Sequence, residues 1–317
     1  MSDPAAPPQF SPDGTLGAFQ IGVLISYVLW GVVNGQTYLY YHRFPTDTRN
    51  LKAMVVFIWV CELAQAICIG QALYAWTITS FGTPLPVPPK SFDTSIFFSG
   101  MIAACVQGFF SFRIQTLSQN PYIPIVAYIL SFLRLAIGTS VFVTALRMTS
   151  LQTFEARFGW LITTAVSIGV ANDLLITTTL VVNLRGKRTE IQPRSVPLVD
   201  RLTVWAVETG LLTSVASIAT LVCFLTMKTN LVWAAVFVVV SRLYSNSLLA
   251  SLNSRTTLRA MNENLPSVHL TSMSNSDPQF QPRRDRTTKM RPLGQEPDFL
   301  ISNSGVKIEK SVVTVTM

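Results

Sequence analysis

Seven stretches of this chain are each long and apolar enough to cross a bilayer: about 16–38, 53–78, 95–114, 122–146, 158–183, 203–226 and 230–251. A helix needs roughly 20 mostly apolar residues to traverse the hydrocarbon core. Lipid offers no partner to exposed backbone groups, so such stretches fold as helices. The ten-residue alternation of an outer-membrane barrel is absent. The third stretch carries no charge until Arg113, and the fourth keeps apolar flanks around Arg134. Composition leads to the same class. Of 317 residues 49% are hydrophobic and 13% charged, against about 25% charged in a soluble domain. The expected fold is all-α: a polytopic membrane protein, a bundle of seven transmembrane helices with a disordered C-terminal tail.

Three parts are expected along the chain: a short extracellular N-terminal tail over 1–15, the helical domain over 16–259, and a cytoplasmic tail over 260–317. Residues 1–15 contain no Lys or Arg, so the first span lacks the basic flank of a cleaved signal peptide and reads as a retained helix. Orientation follows from the basic residues. Arg43, Arg49, Lys52, Arg113, Arg185, Lys187, Arg188, Arg194, Arg201, Arg255 and Arg259 all fall on one side of the seven spans. Only Lys90, Arg147, Arg157 and Lys228 fall on the other. The positive-inside rule then places the N-terminus outside and the C-terminus in the cytoplasm, in a multi-pass protein of the plasma membrane.

Cys61, Cys68, Cys105 and Cys223 all lie inside spans. They read as small apolar-facing residues and form no disulfide framework. The tail is rich in Ser, Thr, Pro and charge and has no hydrophobic period, the composition of a disordered segment. Its cluster of Arg283, Arg284, Arg286, Lys289 and Arg291 suits contact with anionic lipid, and equally suits a solvated tail. Expected partners are the lipid bilayer, anionic lipids at the basic inner loops and tail, and a cytoplasmic protein. Nothing points to nucleic acid.

Ionisable groups inside spans carry the functional argument, because burying one without a partner costs several kcal/mol. Glu62, Arg134, Asp173, Glu208 and Arg242 are such groups, and Arg113 lies nearer a span end. Gln65 stands one turn from Glu62, and Asn172 adjoins Asp173. The signs balance, so two readings stand together. The charges lock helices against one another, or they line a ligand pocket, an ion path or a switch. At 100° per residue, Arg242, Asn246, Leu249 and Asn253 fall on one seam of the seventh helix, which should face the bundle. Leu243, Tyr244, Leu248 and Leu252 point elsewhere on this projection. The candidate polar network is therefore Glu62, Gln65, Arg134, Asp173, Glu208, Arg242, Asn246 and Asn253.

Several motifs in order carry a resemblance. "LGAFQIGVLISYVLWGVVNGQTYLYYHRFPTDTRNLKAMV" opens the first two spans, "GFFSFRI" ends the third, and "GVANDLLITTTLVVNLR" forms the fifth. "ETGLLTSVASIATLV" and the closing "RLYSNSLLASLNSR" follow. Across about residues 15–260 the chain resembles fungal seven-helix membrane proteins grouped under a domain of unknown function, abundant in mushroom-forming fungi. The resemblance implies a seven-helix fold with Asp173 as the acidic residue of its fifth helix, and no established activity. Arg134 departs from it, standing where a neutral residue is expected.

Three function classes follow. An outside N-terminus, basic inner loops and a phosphorylatable tail fit a receptor-like or signalling membrane protein. The chain has no D-R-Y at the third helix, no N-P-x-x-Y in the seventh, and no lysine there for a retinal Schiff base. The alternative is a small-solute or proton-coupled transporter using the intramembrane carboxylates, although no internal repeat or matched helix break supports it. An enzyme is not expected. The two histidines, His42 and His269, form no metal-ligand spacing, and no G-x-S-x-G, H-E-x-x-H or phosphate loop occurs. No catalytic residue, cofactor or metal is anticipated.

Overall fold

The computed structural model describes residues 13–80, 88–118, 121–147, 151–188, 196–227 and 230–263. These residues belong to one compact unit, Met1–Ser267. The N-terminal segment to residue 12, much of the basic stretch after the fifth helix, and the C-terminal tail with its arginine cluster lie outside the described residues.

Seven α-helices run through the described residues, and no strand occurs among them. They are α1 (Ala18–Arg43), α2 (Arg49–Tyr74), α3 (Lys90–Leu117), α4 (Tyr122–Arg147), α5 (Leu151–Arg188), α6 (Val196–Thr226) and α7 (Val232–Glu263). A π-helical turn precedes α1 at Asp13–Gly17, and another continues α2 at Ala75–Thr79. Six helices are long and apolar enough to cross a membrane, and Gly210–Thr226 within α6 is a shorter apolar segment. The described residues thus form an all-helical, membrane-type bundle. Its outward faces are oily: Val28, Phe132, Trp160 and Val182 are each more than 60% exposed, a surface suited to lipid.

Local chemistry sets the helix ends. Phe44 closes α1 with its N–H on the Tyr40 carbonyl, and Pro45 follows, which cannot continue the ladder. Pro89 precedes α3, and Pro124 occupies the first turn of α4, where its missing N–H costs nothing. The side-chain oxygen of Asn230 accepts the Val232 N–H at 3.4 Å at the start of α7. Within the spans, hydroxyls bond back to their own helix, as in Ser140 to the Ala136 carbonyl at 2.9 Å and Thr163 to Gly159 at 3.1 Å, so they need no lipid-side partner.

Each helix packs on the next, and α7 returns to α1, closing a ring. Inside that ring α7 also touches α2 and α3, and α3 touches α5. Helix α7 is therefore central and buried on several faces, with Trp233, Val238, Tyr244 and Leu248 all in the core. The pairings also give direction. Gly22 faces Ala235, Ser26 bonds Arg242, and the carbonyls of Leu29 and Gln36 receive Asn246 and Asn253. Numbers rise together, so α1 and α7 run parallel. On α2, Glu62 meets Ser245 and Gln65 meets Ser241, so α2 runs antiparallel to α7. Aromatic side chains fill the core near both ends: Phe19, Trp76, Phe92 and Trp233 at one, Tyr40 and Phe44 at the other.

Candidate functional site

Two polar clusters occupy the middle of the bundle, and both are built on α7. The first joins α7 to α1 and α2. Arg242 and Glu62 form an ion pair in which both side chains are wholly buried. The guanidinium also donates to the Glu62 backbone carbonyl at 2.9 Å and to the Ser26 hydroxyl at 3.0 Å. Ser245, one turn along α7, donates to the second Glu62 oxygen at 2.5 Å. Gln65 pairs with Ser241 at 2.8 Å. Small residues allow this proximity: a Cβ on Gly22 would stand 2.7 Å from the Ala235 backbone. Each charge thus meets an opposite charge and neutral hydrogen-bond partners, acceptors for Arg242 and a donor for Glu62, the condition for tolerating it away from water.

The second cluster joins α7 to α3, α4 and α5. The Tyr244 hydroxyl donates to one Asp173 oxygen, and Gln107 Nε2 donates to the other at 2.7 Å. Arg134 Nη1 donates to the Tyr244 hydroxyl at 3.1 Å, with its guanidinium 5.3 Å from the ring centroid. Asn172 Nδ2 donates to Ser131, whose hydroxyl in turn reaches Gln107 at 3.2 Å. Gly169 makes room for the arginine, since a Cβ there would stand 2.8 Å from Arg134 Cζ. The result is a chain, Arg134 to Tyr244 to Asp173, in which the phenol accepts at one end and donates at the other.

A cavity opens on each side of that chain. One, of about 40 Å³, is lined by Gln107, Asp173, Thr177, Thr213, Tyr244 and Ser247 among others. It lies toward the C-terminal ends of α3, α5 and α7 and has room for water, which needs about 10–15 Å³. The other, of about 70 Å³, lies toward the N-terminal ends of those helices and has Arg134 on its wall. Apart from Arg134 its described lining is uncharged, chiefly Val141, Ile162, Phe224, Trp233 and Phe237. The triad is the partition between them.

The structure gathers most of the residues singled out from the sequence. Glu62, Gln65 and Arg242 meet in the first cluster, and Arg134 and Asp173 in the second. Asn246 and Asn253 both donate to carbonyls of α1, at 3.2 and 2.9 Å. Glu208 does not join them. Its side chain is exposed on α6, so it balances no charge in the core. The projection that pointed Tyr244 away from the polar seam also needs correcting, because α7 is buried on more than one face. Tyr244 is the hub of the second cluster. Gln107, Ser131, Ser241 and Ser245 likewise escaped sequence reasoning. Only their position on apolar spans, where a polar group needs a partner, marks them out.

At the end of the bundle where α1 meets α2, Arg255 of α7 pairs with Asp47 at 2.5 Å and lies 4.2 Å over the Phe44 ring. Tyr40 donates to the same carboxylate at 3.0 Å. Arg113 of α3 donates to Ser251 at 2.8 Å nearby. The four cysteines are free, and among the described residues no three His, Cys, Asp or Glu side chains gather.

A family model described as "Family of unknown function (DUF6534)" matches residues 169–257. That segment runs from Gly169 on α5, through α6, to residue 257 on α7, and so carries Asp173, Arg242 and Tyr244. No curated protein and no solved structure matches the chain.

Proposed function

We propose that this chain is a receptor-like, seven-pass plasma-membrane protein and not an enzyme. Its N-terminus faces outside and its C-terminus the cytoplasm. A ligand-sized cavity in the outer half is tied through Arg134, Tyr244 and Asp173 to the inner halves of α5 and α7. One observation carries this reading: the guanidinium on the wall of one cavity and the carboxylate on the wall of the other share a single phenol. Any contact that draws Arg134 away from Tyr244 alters what holds α7 to α5. A differential contact of this kind is what a ligand needs to shift a two-state equilibrium.

The topology has two supports. The parallel course of α1 and α7 suits an odd number of alternating passes, with α6 as the remaining span. The basic residues Arg43, Arg49, Lys52, Arg185 and Arg255 cluster at the ends assigned to the cytoplasm.

The second reading, a small-solute or proton-coupled carrier, draws on the same two cavities, since a carrier also needs a site reachable from either side. Flux separates the two. The full chain in sealed vesicles, given a pH gradient and a panel of small solutes, is expected to move none above empty vesicles. Flux that disappears in Asp173→Asn would establish the carrier instead.

A further inference from the structure

We infer that the outer-half cavity among α3, α4, α5, α6 and α7 binds a short-chain monocarboxylate, with its carboxylate on Arg134 and its alkyl chain against Val141, Ile162, Phe224 and Trp233. This deepens the receptor-like reading and rests on it for what binding does, while binding itself is tested separately.

Arg134 is a cation inside an apolar span, and among the described residues no carboxylate lies within ion-pair distance of it. It reaches Asp173 only through the Tyr244 hydroxyl. A guanidinium has five N–H donors, and among the described residues one hydrogen bond of Arg134 is formed, through Nη1. The remaining donors belong to the only charged group among the described residues of a cavity wall that is otherwise hydrophobic, hydroxyl-bearing or glycine. A planar anion satisfies such a fork, and charge-assisted pairs of this type are strong away from water.

Shape and charge narrow the class further. The volume of about 70 Å³ corresponds to roughly five to seven non-hydrogen atoms, taking about 10–15 Å³ per water-sized unit. Among the described residues no acidic side chain lines the cavity to hold an amine, and no second cation is there to neutralise a dianion. Within the cavity an amino acid or a dicarboxylate would therefore leave one of its own charges unpaired, whereas a monocarboxylate of butanoate size has one charge to place, on Arg134. Glycines shape the space. Gly100 and Gly138 both line it, and a Cβ on Gly138 would meet nothing within 4 Å.

The test is saturation-transfer difference NMR of butanoate with the full chain in lipid nanodiscs. Saturable transfer is expected for the wild-type chain. It should fall at least fivefold in Arg134→Gln and in Gly138→Leu, which fills the cavity from a position where a new side chain has room. Gly31→Leu also meets open space at its Cβ, but on an exposed face of α1, and should bind as wild type does. Butanol at the same concentration should not displace the acid. No saturable transfer to the wild-type chain, transfer unchanged in Gly138→Leu, or equal displacement by butanol would each overturn the assignment. The receptor-like reading falls on a different result, solute flux in vesicles.

Discussion

Glu62 on α2 and Arg242 on α7, 180 residues apart, form an ion pair with neither side chain reaching the surface. Removing one partner leaves a buried charge alone, whereas removing both leaves none. Glu62→Gln or Arg242→Gln is expected to cost about 3–5 kcal/mol of stability. The double change to methionine should cost less than the sum of the single changes, and less than either alone if the site repacks. Denaturant unfolding of the purified chain in detergent, run as a double-mutant cycle, checks this. Strictly additive losses would show that the pair is not coupled.

Close packing of α1 on α7 rests on Gly22. A Cβ there would stand 2.7 Å from the Cα and carbonyl oxygen of Ala235, and backbone cannot swing aside as a side chain can. Gly22→Ala should lower stability by about 1–3 kcal/mol, the usual cost of overpacking. Gly35→Ala, on the same helix with nothing within 4 Å of its Cβ, should be neutral or slightly stabilising because alanine favours helix. Melting temperatures of the two variants decide it, and equal shifts would contradict the packing.

Gly169→Ala should act differently, because the atom in its way is the end of a flexible side chain. Arg134 Cζ lies 2.8 Å from the position of the added carbon. The guanidinium can move at little cost, so stability should change by less than about 1 kcal/mol. The Tyr244 ring should nevertheless report the loss of its neighbour. The ¹³C-tyrosine NMR signal of Tyr244 is expected to shift as it does in Arg134→Gln, and an unmoved signal would refute the link.

Arg255 meets Asp47 through both Nη1 and Nη2, at 3.2 and 2.5 Å, and stacks over Phe44. Lysine keeps the charge but not the fork or the plane. The pair is partly open to solvent, the Arg255 side chain being 32% exposed, so the expected loss in Arg255→Lys is modest, about 1 kcal/mol. Part of it should vanish in high salt. A loss of several kcal/mol, or none with Arg255→Ala, would contradict this geometry.

Much of the fold was legible because bilayer thickness imposes a length on apolar runs, and the helices fall where those runs are. Their ends were less so. The first span was expected to finish at 38, yet α1 continues to Arg43, because Tyr40 buries its ring and Tyr41 part of its own while their hydroxyls reach Asp47 and the Lys52 carbonyl. Span α5 was read as 158–183, whereas the helix covers Leu151–Arg188. Hydropathy marks where oil stops, and a helix continues as long as its backbone bonds do.

The site divides in the same way. Glu62, Asp173, Arg134 and Arg242 stood out because a charge in an apolar run demands a partner. Which charges pair was not legible, since that depends on which helices become neighbours. Glu208 looked equivalent to the others, but its position on α6 leaves it exposed. Tyr244 was passed over because a single-seam projection suits a helix with one lipid-facing side, and α7 is enclosed by α1, α2, α3 and α6. For a central helix the period of burial no longer identifies the functional face.

Tyr244 joins Arg134, on the wall of the larger of the two cavities, to Asp173 and thereby ties α5 to α7. Arg185 at the end of α5 and Ala250 on α7 are both exposed and suit spin labels, once Cys61, Cys68, Cys105 and Cys223 are replaced. The distance distribution between them, measured by double electron–electron resonance in liposomes, should be narrow in the otherwise native chain. In Tyr244→Phe, which keeps the ring and deletes only the shared hydroxyl, it should shift or broaden by several ångströms. An identical distribution in both chains would show that the Tyr244 hydroxyl does not tie α5 to α7.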